Sequence, residues 1–392
     1  MTNLITGKNS AQGFMVVLLF FLIAFSCKGP VTDQKEISVE HQSLSPIPDS
    51  LKIFLDSTIR DMALTHKVRM LVKVEKDGKM ASYMGYDGRK DTAILDFRLP
   101  FEIGSTTKMF TASAILQLIE QGKFDLETPF KTLLPYDINY DGLALVNGVD
   151  YIDSIKVYNL LNHTSGMPDY FIAGSDEEEL AKNGDASLRF SFNDLISLSK
   201  ESSKERFVPG SKFEYSNINY IFLGKIIEEA SGQSYTDYIQ EHILDPLGMR
   251  KTYFGTKNAP PKIAQGHYKG KNSEMPYSMA GSAGEIISTL DDMIIFIDGW
   301  YEGKLFSKEE TVNLVKNKYF MDMGANMGIN YGLGCINLIN QSLGHAGETF
   351  GFDAYTAALS NDYRFTMYAD DPGLLDIWAP AIIISTRLGQ EK

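Results

Sequence analysis

The feature that most constrains the fold is the placement of strand-like segments at the two ends of a long helical stretch. Residues 68–74 alternate and are rich in β-branched side chains, Asp77-Gly78 is a tight-turn pair, and residues 80–86 return as a second strand. Strand-like runs resume at 332–338, 343–346, 352–359 and 364–369. Between the two groups the chain reads as helices and long loops. This order predicts an α+β fold: one antiparallel sheet assembled from sequence-distant halves, flanked by helices and interrupted by a mostly helical insertion. The folded domain is expected over 49–392, with 49–123 and 272–392 as its α/β part and 124–271 as its helical part.

The helical periodicity is clearest at three places. Leu51, Phe54, Leu55, Ile59, Met62 and Ala63 form one face of a helix over 49–66. Met109, Phe110, Ala112, Ile115, Leu118 and Ile119 do the same over 106–121, with Gly122 where a C-terminal cap belongs. The stretch 214–230 continues into a third helix, closed by Ser231-Gly232. Ser288-Thr289-Leu290-Asp291-Asp292 reads as a helix start, its acids near the positive end of the dipole. A last helix is expected over 374–387.

Of the 392 residues, 44% are hydrophobic, enough for one large core or two sharing an interface. The formal net charge of -13 would repel a phosphate backbone, so no nucleic-acid partner is expected. Lys8 is the only charge before Cys27, and residues 13–25 are apolar without interruption. This run is shorter than the roughly 20 residues that span a bilayer. It fits a signal peptide over 1–26. Ala24-Phe25-Ser26-Cys27 is similar to the lipobox of bacterial lipoproteins, with Phe25 bulkier than the small residue usual there. The resemblance implies lipidation at Cys27, a tether over 27–48, and a membrane-anchored protein at the periplasmic or outer face. The second cysteine, Cys335, then stands alone and reads as a buried small hydrophobe in a strand-like run.

Ser105-Thr106-Thr107-Lys108 is an S-x-x-K element. Three-residue spacing on a helix brings the two side chains together, and a desolvated, neutral Lys amine can take the Ser proton. The Ser would also sit at a helix start, where backbone N–H groups favour an oxyanion. A second copy, Ser197-Leu198-Ser199-Lys200, runs into the polar stretch Glu201-Ser202-Ser203-Lys204-Glu205, where a Lys stays solvated and charged. Ser105 instead precedes an apolar helix that must be buried. Tyr215-Ser216-Asn217 follows the turn Val208-Pro209-Gly210. Its Tyr can shuttle a proton if nearby cations lower its pKa, and along an extended segment Tyr215 and Asn217 face one cleft. His345-Ala346-Gly347 lies on an expected strand, with His345 as donor or cation and Gly347 allowing close backbone approach. Lys76-Asp77-Gly78 reads as a hairpin tip.

Taken together these elements resemble the class C β-lactamase and penicillin-binding-protein group, with its D-Ala-D-Ala carboxypeptidase, esterase and D-amino-acid peptidase members. Further segments carry the likeness: Leu161-Asn162-His163-Thr164-Ser165-Gly166-Met167-Pro168, Pro209-Gly210-Ser211-Lys212-Phe213-Glu214-Tyr215, Pro246-Leu247-Gly248-Met249, and Ala283-Gly284 through Asp291-Asp292. The resemblance implies a β-lactamase/transpeptidase-like fold and an acyl-enzyme at Ser105, formed from a small peptide, amide or ester substrate without cofactor or metal. Lys108 and Tyr215 would manage protons and Asn217 would bind the acyl-side amide. The N–H groups of Ser105 and Glu348 would form the oxyanion hole, and His163 and Ser165 would shape the cleft wall. His345 stands where the group's β-lactamases carry Lys; a weaker, pH-dependent cation there argues against efficient β-lactam hydrolysis. Glu348, if it points into the cleft, would repel substrates with a free carboxylate. Two other readings stay open: a true β-lactamase, and a non-catalytic binding lipoprotein on the same fold.

Overall fold

The computed structural model describes residues 47–86, 96–171, 188–202, 205–273, 275–324 and 328–391. They lie within one compact unit, His41–Lys392. The expected signal peptide, Cys27 and the tether up to residue 46 lie outside the described residues.

Among the described residues the main sheet has eight strands. Helix α1 (Asp49–His66) leads into β1 (Met70–Lys76) and β2 (Lys79–Gly85). Their tight turn uses Asp77 at φ 53° and Gly78 at φ 74°, both in the left-handed region. The other six strands come from the far end: β3 (Met321–Asp322), β4 (Ile329–Tyr331), β5 (Ile336–Leu338), β6 (Ser342–Glu348), β7 (Asp353–Leu359) and β8 (Arg364–Ala369). The order is β3-β4-β5-β6-β7-β8-β1-β2, antiparallel throughout. The two halves meet where β1 pairs β8, Met70 opposite Ala369. The sheet is therefore closed by sequence-distant partners, as the strand pattern requires.

Each face of the sheet carries its own core. Met70, Val72 and Val74 point with Tyr355, Phe365 and Met367 to Leu51, Leu55 and Ile59 of α1, and to Ala381, Ile384 and Leu388 of the C-terminal helix. On the opposite face Leu71 and Tyr368 join α2 (Thr107–Glu120), α3 (Phe192–Glu201), α4 (Asn217–Ser231) and α5 (Leu290–Tyr301). Period-two alternation sorts the strand side chains between the cores, each buried aliphatic contributing about 1.5–3 kcal/mol. Lys73, on the Leu71 face, is kept there by an ion pair with Asp291 of α5.

Several boundaries differ from the sequence expectation, and at three of them hydrogen bonds give the reason. Residues 332–335 are a turn, with Gly332 N–H bonded to Cys335 O at 2.8 Å and Gly334 at φ 79°, so the run expected as one strand is the hairpin between β4 and β5. Cys335 in that turn is buried, and burial pushes its thiol up to about 12, which fits an inert apolar role. The last helix is α6 (Trp378–Gly389), later than expected, because the Asp376 carboxylate takes the Trp378 N–H at 3.0 Å. Ser288 ends the strand Ile286–Ser288, and the cap of α5 is Thr289, whose Oγ1 accepts from Asp292 N at 3.2 Å.

Candidate active site

Ser105 sits in a single 3₁₀ turn, Gly104–Thr106, that feeds directly into α2. This turn is pinned to the end of β6 by two glycines. A Cβ on Gly347 would lie 1.9 Å from Ile103 O and 3.0 Å from Ser105 N. One on Gly104, at φ +49°, would lie 2.6 Å from Glu348 O and 2.9 Å from Glu348 N. Only bare backbone fits on both sides, and the contact brings the N–H groups of Ser105 and Glu348 to one place.

Lys108 lies one turn beyond Ser105, in the first turn of α2, fully buried. Its Nζ is 3.0 Å from Ser105 Oγ, 2.7 Å from Asn217 Oδ1 and 2.8 Å from Ala283 O. Burial pushes this amine down to about 7, while the Asp169 carboxylate pulls the other way. Asn217 is the first residue of α4, after Ser216 in extended backbone (φ -149°, ψ 120°). It is held from behind: Asp169 accepts from its backbone N–H and from its Nδ2, each at 3.0 Å. The Asn amide thus bridges Lys108 and Asp169, and its Nδ2 keeps a second N–H for another acceptor.

Two of the three oxygens around Lys108 Nζ, Asn217 Oδ1 and Ala283 O, can only accept hydrogen bonds. A neutral amine places its two N–H groups on them and turns its lone pair to the third, Ser105 Oγ, which carries a proton. The arrangement can therefore drive proton transfer from the hydroxyl to the amine.

Tyr215 is hydrogen-bonded to Ser105, and its ring centroid lies 4.9 Å from Lys108 Nζ. Burial first, with added repulsion from Asp169 and Glu348, raises its phenol well above the ordinary value. The lowering by nearby cations expected from sequence is not what the site provides; Tyr215 stands as a protonated phenol. His163 holds that ring: the centroids are 4.2 Å apart, and His163 Nδ1 accepts from Ser216 N at 3.2 Å and Asn219 Nδ2 at 3.1 Å. Its proton is then on Nε2, which is buried and meets no acceptor among the described residues. Ser165 donates to Asn219 Oδ1 at 2.6 Å. His163 and Ser165 thus act on the shape of the site, as expected.

His345 is buried on β6 and differs from the expected cation. Its Nε2 is 2.8 Å from Tyr331 OH and its Nδ1 lies against Ala346 O. A carbonyl only accepts, so the proton is on Nδ1 and Nε2 accepts from Tyr331. Burial, then the charge of Lys108, pushes this imidazole down to about 3. Both nitrogens are engaged away from Ser105. Glu348 is exposed at the strand end, opposite Asp353 in the register; burial first, and the charge of Glu348 after it, raises the carboxyl of Asp353. The second S-x-x-K has no such setting: Ser197 is exposed on the helix Phe192–Glu201 and donates to Asn193 O at 2.9 Å.

Sequence reasoning missed Asp169, Ala283 and Tyr331. Asp169 directly follows the family-like segment 161–168, and a carboxylate in that place was a readable signal. Ala283 acts through its backbone oxygen and leaves no side-chain signal. Tyr331 looks like any aromatic strand residue.

Comparison with known proteins identifies the family. The Beta-lactamase family model matches residues 57–368. Protein flp of Staphylococcus aureus (strain MW2) is 32% identical over 226 residues, 57% of this chain and 40% of that protein. Penicillin-binding protein 4* of Bacillus subtilis (strain 168) is 30% identical over 259 residues, 60% of this chain and 52% of that protein. The chain thus spans about half the length of these relatives or less. Among solved structures, D-amino acid amidase from Ochrobactrum anthropi SV3, complexed with D-phenylalanine, superposes with a TM-score of 0.72 at 20% identity, covering 87% of this chain and 100% of that one. The octameric penicillin-binding protein homologue from Pyrococcus abyssi gives 0.68 at 25%, covering 87% and 76%. With most of its folded residues matched by the family model, the chain belongs to the Beta-lactamase family of serine hydrolases.

Proposed function

We propose that this chain is a serine hydrolase that takes an acyl group onto Ser105 from an amide, peptide or ester and passes it to water. The observation that carries the reading is the hydrogen-bond surround of Lys108, two obligate acceptors and Ser105 Oγ, around an amine that burial brings to about 7. Lys108 Nζ takes the Ser105 proton as Oγ bonds to the substrate carbonyl carbon. The oxyanion that forms is met by the N–H groups of Ser105 and Glu348. When the carbon–leaving-group bond breaks, the leaving group takes a proton from the Tyr215 phenol, and the phenol recovers one from the Lys108 ammonium, which holds the proton taken from Ser105. Water then repeats the sequence against the acyl-enzyme. Asn217 and Asp169 position Lys108, and the remaining Asn217 N–H is available to a substrate carbonyl. Relatives named for binding penicillin, a cyclic amide, support an amide carbonyl as a target. His345, engaged with Tyr331 and uncharged, supports a peptidase, amidase or esterase over an efficient β-lactamase.

A fluorophosphonate should add its mass at Ser105 in the wild type and add nothing in Ser105→Ala. An adduct that persists in Ser105→Ala contradicts the assignment. For the anchor we propose lipidation at Cys27 of an exported protein. Radiolabelled palmitate should enter the wild type and not Cys27→Ala, and equal labelling of both contradicts it.

A further inference from the structure

Apart from the two large cores, the described residues hold a small third apolar cluster of Met275 and Phe350 with Phe171, Tyr277 and Ala280. Its members come from loops and one short helix, and each segment also carries a part of the site. Phe171 follows Asp169 by two residues and donates its N–H to that carboxylate at 3.3 Å. Phe350 follows Glu348 by two residues, in a turn where Thr349 Oγ1 accepts from Gly351 N at 3.2 Å and Phe352 N at 3.1 Å. Ala280 leads into the 3₁₀ turn Gly281–Ala283, whose last carbonyl holds Lys108. A Cβ on Gly284 would lie 3.1 Å from Ala280 Cβ and 3.7 Å from Gly104 C, so Ala280 stands beside the turn that carries Ser105. The rings of Phe171 and Phe350 stack with centroids 5.7 Å apart.

We infer that Phe171, Phe350 and Ala280 form the wall that selects the acyl half of the substrate, and that this half carries an apolar side chain of aromatic size. The inference rests on the acyl transfer proposed above. The leaving group departs toward Tyr215, which must protonate it. Tyr215 packs against the rings of His163 and Tyr331 and is not a member of the third cluster. The group that remains on Ser105 therefore meets the aromatic pair. Stacked rings offer a flat apolar surface that a methyl group covers poorly and a phenyl group covers well.

The test compares p-nitrophenyl phenylacetate with p-nitrophenyl acetate, which share a leaving group and differ only in the acyl side chain. After division by the rates of the same esters with hydroxide, the wild type should prefer phenylacetate by at least about tenfold in kcat/KM. That ratio should fall toward one in Phe350→Ala and in Phe171→Ala, and Phe350→Leu should keep part of it. Thermal unfolding checks each variant; if Phe350→Ala does not fold, the half-buried Phe171 carries the test. Equal use of both esters by the wild type overturns the inference, as does a preference that survives both alanine variants. If neither ester leaves an acyl group on Ser105, the hydrolase reading fails and this inference with it. If both do so at equal corrected rates, only this inference fails.

Discussion

A lysine ammonium ringed by three oxygens would ordinarily stay charged; here full burial outweighs the three hydrogen bonds and the pull of Asp169. Asp169 is the counterweight that keeps the amine near neutrality. In Asp169→Asn the hydrogen bond to Asn217 Nδ2 can be kept while the negative charge is lost. The charged form of Lys108 is then less favoured, so the midpoint of the pH profile for Ser105 acylation should move to lower pH; a midpoint that stays or rises argues against this coupling. The same group links stability to pH. In the unfolded chain the amine titrates near 10.5 and in the folded one at about 7. Between these values the unfolded state holds the extra proton. Stability should therefore rise from about pH 7 to 10.5, by up to about 1.4 kcal/mol per pH unit. Urea midpoints across that range should show this slope in the wild type and a smaller one in Lys108→Met.

At the scale of elements, the site depends on one backbone contact, β6 against the Ser105 turn. Gly347→Ala places a Cβ 1.9 Å from Ile103 O, so strand or turn must shift. Misplacing an oxyanion donor should reduce kcat about 10²-fold or more, and unfolding should become easier by about 1–3 kcal/mol; wild-type kcat in this variant would show that the contact is not needed. Much of this level was legible. The S-x-x-K spacing, the Tyr and Asn at a helix entry and the Gly on a strand each state a local geometry, and the structure brings those residues together. What the residues then experience was not legible. At His345 burial, and after it the charge of Lys108, keeps the imidazole neutral while Tyr331 engages its Nε2, and at Tyr215 burial raises the phenol. Such reversals are set by desolvation, which a sequence pattern does not record.

At the scale of the whole molecule, the sheet ties the two ends of the folded unit together. β8 is flanked by β7 and β1, and β1 also carries β2, so the first hairpin buries an otherwise open edge. All six residues of β8 are buried. A chain starting at residue 97 would expose that apolar strand as an edge and uncover the α1 side of one core. It should be insoluble or aggregate where the chain starting at residue 47 gives a cooperative melt; a soluble, cooperatively folded product from residue 97 would contradict this account of the sheet. The order of strands along the sequence announced this closure. The register did not follow from it, because β1 and β8 lie too far apart in sequence for any turn to set their alignment.

The measurement that bears most directly on the account is the pH dependence of Ser105 phosphonylation, followed by intact mass from pH 5.5 to 9 with one fluorophosphonate. A base that is protonated in acid and neutral above about 7 predicts a rate that rises through a single midpoint near 7 and then levels, with the adduct on Ser105 alone and its formation abolished in Lys108→Met. A rate that is flat across this range, or a Lys108→Met protein that reacts as fast as the wild type, would contradict it.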